Sequence, residues 1–142
     1  MPIRAVVYAS QVASDLSNER LEALVADAAR FNRLAGVTGI LLHDGTRFVQ
    51  YIEGPEDGVA TVYERVLQAT SHTELVELAR GRVFERQFPY WSMHRLPVDQ
   101  LFVGKLARAN WSRFKRSDPD AAVEGYGIDL LAAAVAPHLN AA

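Results

Sequence analysis

Residues 37–53, VTGILLHDGTRFVQYIE, hold two runs rich in β-branched and aromatic residues, separated by Asp44-Gly45. That dipeptide favours a tight hairpin, because the central positions of a type I′ turn need positive φ. The arms are apolar on both faces, so the hairpin belongs inside a sheet covered on both sides. A two-residue turn pairs Leu41 with Phe48, Gly39 with Gln50 and Val37 with Ile52 on one face. The other face pairs Ile40 with Val49 and Thr38 with Tyr51. In that register Gly39 leaves open space beside Gln50.

The flanking segments supply the rest of the sheet and its cover. IRAVVYAS at 3–10 reads as a strand buried on both faces and carries Tyr8. From Ser17 to Ala35, Leu21, Leu24, Val25 and Ala28 follow helical spacing, with Ser17 as N-cap and Gly36 just past the end. After Gly54-Pro55, Val59, Val62, Tyr63, Val66 and Leu67 repeat at the same spacing. TELVELARGRVFER then reads as a long strand, and PYWSMHRL as a shorter edge strand after the break at Pro89. The tail from Pro97 is mostly helical and ends in LLAAAVAPHLNAA, a helix with a frayed terminus. The order βαββαββ predicts an α+β, ferredoxin-like sheet with two helices on one face and the C-terminal helices on the other. Its first and third strands are central neighbours.

Composition narrows the chemistry. The chain has no cysteine, which removes thiolate catalysis, disulfides and cysteine-bearing metal sites, and fits a cytoplasmic location. Histidines 43, 72, 94 and 138 lack metal-ligand spacing, so no metal is expected. The N-terminal apolar run is too short for a signal peptide, and IDLLAAAVAP contains Asp129 and is too short to span a membrane. A net charge of −2 offers no general attraction to nucleic acid. The basic cluster Lys105, Arg108, Arg113, Lys115 and Arg116, interleaved with Trp111 and Phe114, reads as a solvated helix face rather than a single-strand binding surface. No catalytic Ser–His–Asp set or Gly-rich phosphate loop is visible, and an acylphosphatase-type hydrolase lacks the Arg it needs in SQVASDLSN. The chain is not expected to be an enzyme.

Two primary amides stand where hydrocarbon is expected. Asn32 continues the core stripe of the first helix, and Gln50 lies between Phe48 and Ile52 on one strand face. A buried amide without partners costs about 1 to 3 kcal/mol, so each needs a hydrogen-bonding group. Taken singly, Asn32 could cap its helix and Gln50 could bond backbone or water. With Tyr8 beside Gln50, a phenol and two amides line one apolar cleft, which suits a flat heteroaromatic ligand with an imide edge.

VVYAS at 6–10, FNRLAGVTGILLHDGTRFVQYIEGP at 31–55 and FERQFPYWSM at 84–93 together resemble the BLUF domain, the blue-light sensor that uses flavin. The resemblance covers residues 1–96 and leaves 97–142 as a C-terminal helical extension packing on the sheet. It implies a non-covalently bound flavin, FAD or else FMN or riboflavin, between the two helices. Tyr8 and Gln50 are then the photoactive pair: the tyrosine gives up an electron and a proton under blue light and the glutamine rearranges. Asn32 grips the ring, and Val25, Ala28, Arg30, Phe31, Phe48, Val66 and His72 complete the expected cofactor site. Trp91 or Met93 relays the change to the last strand, and a separate downstream protein reads it, with the sensor expected as a homodimer or higher homo-oligomer. Where the family commonly has Asp-x-Arg-His, this chain has Ala69-Thr70-Ser71-His72. A flavin-free interaction module on the same fold is therefore the second reading.

Overall fold

The computed structural model describes residues 3–114 and 126–139. Five strands, β1 (Ile3–Val12), β2 (Thr38–His43), β3 (Arg47–Pro55), β4 (His72–Val83) and β5 (His94–Pro97), form one sheet in the order β4-β1-β3-β2-β5. All pairs are antiparallel except β2 with β5. Helices α1 (Asn18–Ala35) and α2 (Glu56–Gln68) cover one face, and α3 (Gln100–Arg108) and α4 (Gly127–Leu139) cover the other. This is the α+β arrangement expected from the element order.

Strand alternation sorts the buried residues into two cores. Val6, Tyr8, Leu41, Phe48 and Ile52 join the core beneath α1 and α2. Ala5, Val7, Ile40, Leu42, Val49 and Tyr51 join the core beneath α3 and α4. Trp111 and Phe114 are buried in that second core, so they stiffen the tail rather than interleave a basic surface. Arg113 lies 3.9 Å from the Tyr126 ring, while Lys115 and Arg116 fall outside the described residues, as do the last three of the C-terminal run.

Local signals explain the helix ends. Ser17 Oγ accepts from Arg20 N at 3.1 Å and so satisfies a free N–H of the first turn of α1. Gly36 closes the helix in the left-handed region at φ 74°. A Cβ at Gly58 would fall 2.2 Å from the carbonyl oxygen of Ala35, so only glycine lets the start of α2 approach the end of α1 this closely.

The hairpin register differs from the two-residue expectation. His43 pairs with Phe48, Leu41 with Gln50 and Gly39 with Ile52, so Asp44, Gly45, Thr46 and the first residue of β3, Arg47, lie beyond the last pair of the hairpin. Asp44 Oδ1 accepts from Thr46 N, Thr46 Oγ1 and Arg47 N at 2.8 to 2.9 Å, and this side-chain network favours the longer loop over a type I′ turn. A two-residue shift preserves parity, so each side chain keeps its predicted face. Gly39, however, leaves no space beside Gln50: a Cβ there would meet Tyr51 O at 2.7 Å and Ile52 Cγ2 at 3.1 Å.

PYWSMHRL is not a continuous strand. Only His94–Pro97 pairs in parallel with β2, and residues 84–93 form an irregular segment along the sheet edge. The buried carboxylate of Glu53 holds that segment, its two oxygens accepting from Gln87 N at 2.9 Å and Phe88 N at 2.6 Å. Those bonds tie the segment to β3, and farther along Trp91 O accepts from Gly39 N of β2 at 3.0 Å. Burial pushes the Glu53 carboxyl above its ordinary value, while these two N–H donors and the Tyr51 hydroxyl pull it back.

Gly58→Val should destabilise the fold by about 1 to 3 kcal/mol, as overpacking does elsewhere. Urea denaturation measures this, and an unchanged midpoint would mean that the approach of α2 to Ala35 is not tight.

Candidate functional site

Between α1 and α2, over the centre of the sheet, lies a cleft of about 130 Å³ that is open to solvent at its mouth. Its floor comes from Tyr8, Leu41, Phe48, Gln50 and Met93; α1 contributes Leu21, Leu24, Val25, Ala28 and Asn32. The other wall is Val62, Arg65 and Val66 of α2, followed by Ala69, Ser71 and His72. The lining is mostly apolar with a few convergent polar groups, the usual composition of a small-molecule site.

The ladder places Tyr8 directly opposite Gln50. The Tyr8 hydroxyl donates to Gln50 Oε1, and Gln50 Nε2 donates to Met93 Sδ at 3.5 Å. Both residues are buried, at 3% and 6% exposure. Burial, and then the neighbouring Tyr63, push the Tyr8 phenol far above its ordinary value, so it keeps its proton throughout the stable pH range. The Tyr8 ring tilts against Tyr63 at 6.1 Å and His72 at 5.8 Å, which fixes the direction of its hydroxyl.

Asn32 Nδ2 donates to Ser92 O at 2.9 Å, tying the end of α1 to the irregular segment. This side chain is no helix cap; the Gly36 backbone fills that role. The amide commits one N–H to Ser92 and carries a second N–H and an acceptor oxygen besides. His72 bridges two elements: Nε2 donates to Val66 O at 2.9 Å at the end of α2, and Nδ1 meets Ser10 Oγ at 2.6 Å. Both ring nitrogens are therefore engaged by the protein, and His72 forms a wall rather than a free donor.

The structure brings Tyr8, Val25, Ala28, Asn32, Phe48, Gln50, Val66, His72 and Met93 to one cleft. It leaves others out. Arg30 is exposed and paired with Asp27, and Phe31 packs against the outer part of that core with the Arg65 guanidinium 4.3 Å from its ring centroid. Trp91 does not line the cleft; it packs against the core beneath α3 and α4 and stacks on His94 at 4.1 Å. Arg65 is the lining residue that the apolar pattern missed. Val62, Arg65, Val66 and Ala69 follow helical spacing, so the position was readable, but a charge on an apolar stripe was not counted as part of it.

The donor set fits a flavin. Gln50 Nε2 has a thioether as its partner, a weak acceptor that a ring nitrogen or carbonyl would outcompete, and Asn32 offers a donor and an acceptor beside it. Comparison with known proteins bears on the same residues. The family profile described as "Sensors of blue-light using FAD" matches residues 3–94. The chain belongs to the BLUF family.

Among its relatives, the blue light- and temperature-regulated antirepressor BluF of Escherichia coli is 37% identical over 86 residues, covering 61% of this chain and 21% of the relative. The structure of Klebsiella pneumoniae BlrP1 with FMN and cyclic diGMP is 34% identical, covers 67% of this chain and 26% of that one, and superposes with a TM-score of 0.62. The BLUF protein BlrB, in its dark-state structure, shares the fold over 96% of this chain and 97% of its own, with a TM-score of 0.74 at 24% identity. The chain spans 12% to 21% of the length of the first curated relatives it matches. In this BLUF chain no helix among the described residues is long and apolar enough to cross a membrane.

Replacing Tyr8 by Phe leaves the buried Gln50 Oε1 without its donor, and should cost about 1 to 3 kcal/mol of stability in the flavin-free protein. Thermal denaturation reads this; a neutral substitution would mean that water or another group replaces the phenol.

Proposed function

We propose that this chain is a blue-light photoreceptor that holds a flavin non-covalently in the cleft and switches through the chain Tyr8–Gln50–Met93. The observation that carries the reading is the Tyr8 hydroxyl on Gln50 Oε1 with Gln50 Nε2 on Met93 Sδ. Asn32 would grip the ring edge, and Val25, Ala28, Phe48 and Val66 would enclose its faces. A bound flavin supplies light absorption and, once excited, an acceptor for one electron and one proton.

The protein side of the switch follows from the amide. Tyr8, kept protonated by burial, presents its proton to Gln50 Oε1. Once the phenol no longer donates there, the amide gains by exchanging its ends, with Nε2 toward the tyrosine oxygen and Oε1 away from it. An oxygen in place of Nε2 cannot donate to Met93 Sδ, so one of the contacts holding the irregular segment is lost. Such an exchange is a discrete two-state element rather than a graded motion.

Met93 is thus the direct contact of the switch, and Trp91 the residue that passes its movement to the other face. Trp91 stacks on His94, whose ring meets His138 of α4 at 6.1 Å. Residues 1–96 act as the sensor and 97–142 as the output extension, in which α3 and α4 present the signal. The reading makes the chain a cytoplasmic sensor without turnover, acting on a separate protein or through a homodimer. Ala69 and Ser71 in the cleft wall support a second reading, in which the fold serves as a flavin-free interaction module.

An absorption spectrum of the purified chain with FAD, in the dark and after blue light, tests this. A flavin band that shifts reversibly to the red is expected, and Tyr8→Phe should keep the flavin but lose the shift. An unimpaired photocycle in that variant would sink the mechanism, and a colourless protein would favour the second reading. Gln50→Leu should behave as Tyr8→Phe does, whereas Asn32→Ala should weaken flavin binding by about tenfold, the worth of one to two hydrogen bonds.

The ring stack has its own signature. Burial, and then His138, hold the His94 imidazole below its ordinary value. A depressed value means that the contribution of neutral His94 is complete above about pH 6.5 and is lost as pH falls through the folded midpoint. His138→Gln should move that midpoint upward in an NMR titration, and no movement would mean that the two rings do not interact.

A further inference from the structure

The last residue of β2 is a histidine whose lone pair is taken by a cation. His43 Nε2 accepts from Arg95 Nε at 2.7 Å, and Arg95 Nη2 donates onward to Asn18 Oδ1 at 2.7 Å. One guanidinium of β5 thus fastens the edge strand both to the end of β2 and to the first residue of α1. Arginine stays charged and has no acceptor atom, so His43 is the neutral partner, with its proton on Nδ1. The imidazole is 9% exposed and lies edge-on to Phe48 of β3, with the centroids 6.4 Å apart. Its second charged neighbour is Asp44 of the turn, which Arg47 of β3 faces at 3.8 Å, while Asn18 of α1 is uncharged. Burial, and then Arg95, hold the His43 imidazole below its ordinary value, and Asp44 opposes them.

We propose that His43 and Arg95 form an acid-released latch on β5, closed while His43 is neutral and open once it is protonated. An imidazolium has two N–H donors and no lone pair, so protonation sets donor against donor and cation against cation across 2.7 Å. Arg95 then turns from His43 and keeps Asn18. The consequence falls on β5, an edge strand paired with β2 alone and through only four residues. Next to the latch, Val98 N donates to His43 O at 2.9 Å and closes the end of that ladder. Met93, the residue on which the proposed switch acts, directly precedes β5, so under that reading acid and light act on the same strand. The latch itself needs neither light nor flavin.

NMR of the full chain in the dark, titrated from about pH 8 to about pH 5, reads the latch directly. At the upper end the His43 ring should show the Nδ1–H tautomer, with a scalar coupling across the hydrogen bond between Arg95 Nε and His43 Nε2. A depressed value makes the contribution of neutral His43 complete above about pH 6.5 and lost as pH falls through the folded midpoint. Through that midpoint the coupling should vanish. Protection of the Val98 amide, corrected for intrinsic exchange and compared with β1, should fall about tenfold, the worth of one hydrogen bond to a charged group. Arg95→Gln should raise the His43 midpoint. His43→Gln, whose amide oxygen accepts at any pH, should keep Val98 protected throughout; it also assigns the effect, since His94 of β5 titrates beside His138. An Nε2–H tautomer would overturn the proposal, as would an unmoved His43 midpoint in Arg95→Gln. Val98 protection indifferent to the protonation of His43 would overturn it too, because the backbone ladder alone would then hold β5. Loss of that protection in acid by His43→Gln would place the sensitive group elsewhere and have the same force.

Discussion

A phenol bonded to an amide in the middle of a sheet is the constraint around which the rest of this structure is arranged. Tyr8 and Gln50 are both nearly inaccessible, and either left alone would carry an unmet hydrogen bond costing about 1 to 3 kcal/mol. They meet because β1 and β3 are adjacent and in a register that sets them opposite one another. That register depends in turn on apolar residues filling both faces of both strands, since a slip of one residue would send Tyr8 and Gln50 into the core beneath α3 and α4. The polar pair is therefore held in place by the hydrocarbon around it.

Gln50 is suited to its position because an amide has two different ends of nearly the same shape. Exchanging them changes the hydrogen bonding without changing the volume, so a close-packed interior can accommodate both states. A carboxylate there would add a buried charge, and a hydroxyl could not reach two partners on opposite sides. Met93 completes the asymmetry, since a thioether receives one end of the amide and offers nothing to the other. The same packing logic explains the tilted rings of Tyr63 and His72 around the phenol, which limit where its hydroxyl points.

Much of this was legible in the sequence, and the parts that were not share a cause. Helical spacing located α1 and α2, and parity placed Phe48, Gln50 and Ile52 on one face, because both follow from local geometry alone. The hairpin loop was misread because Asp44 uses its side chain on Thr46 and Arg47, a competition with the backbone that the Asp-Gly pair does not reveal. The segment from Phe84 to Met93 was misread as partly strand because its course is set by Glu53, more than thirty residues earlier. Arg65 was overlooked since exposure and a cleft-facing position are compatible only at the end of a helix beside an opening. In each case a long-range or side-chain partner overrode the pattern of the local residues.

The switch proposed for the cleft would link the two faces of the sheet around its edge. In the middle, β1 and β3 are locked by ladders on both sides, and the core beneath α3 and α4 is filled by Leu106, Ile128 and Leu131, each at 0% exposure. At the edge, β5 pairs with β2 through only four residues, and the irregular segment before it is held by a few identifiable bonds: Asn32 to Ser92, Gly39 to Trp91 and Gln50 to Met93. Met93 belongs to the core of the cleft, whereas Trp91, two residues away, packs with the opposite core and leads through His94 to α4. Because the segment is irregular, two nearly adjacent side chains can point into different cores, which regular strand pairing with this coverage would not combine with such loose attachment. The Glu53 clamp fixes the start of the segment, so under the proposed switch a loosened far end at Met93 would move Trp91 against a fixed point. The break in the predicted strand is thus where the switch proposed for the cleft would reach the core beneath α3 and α4.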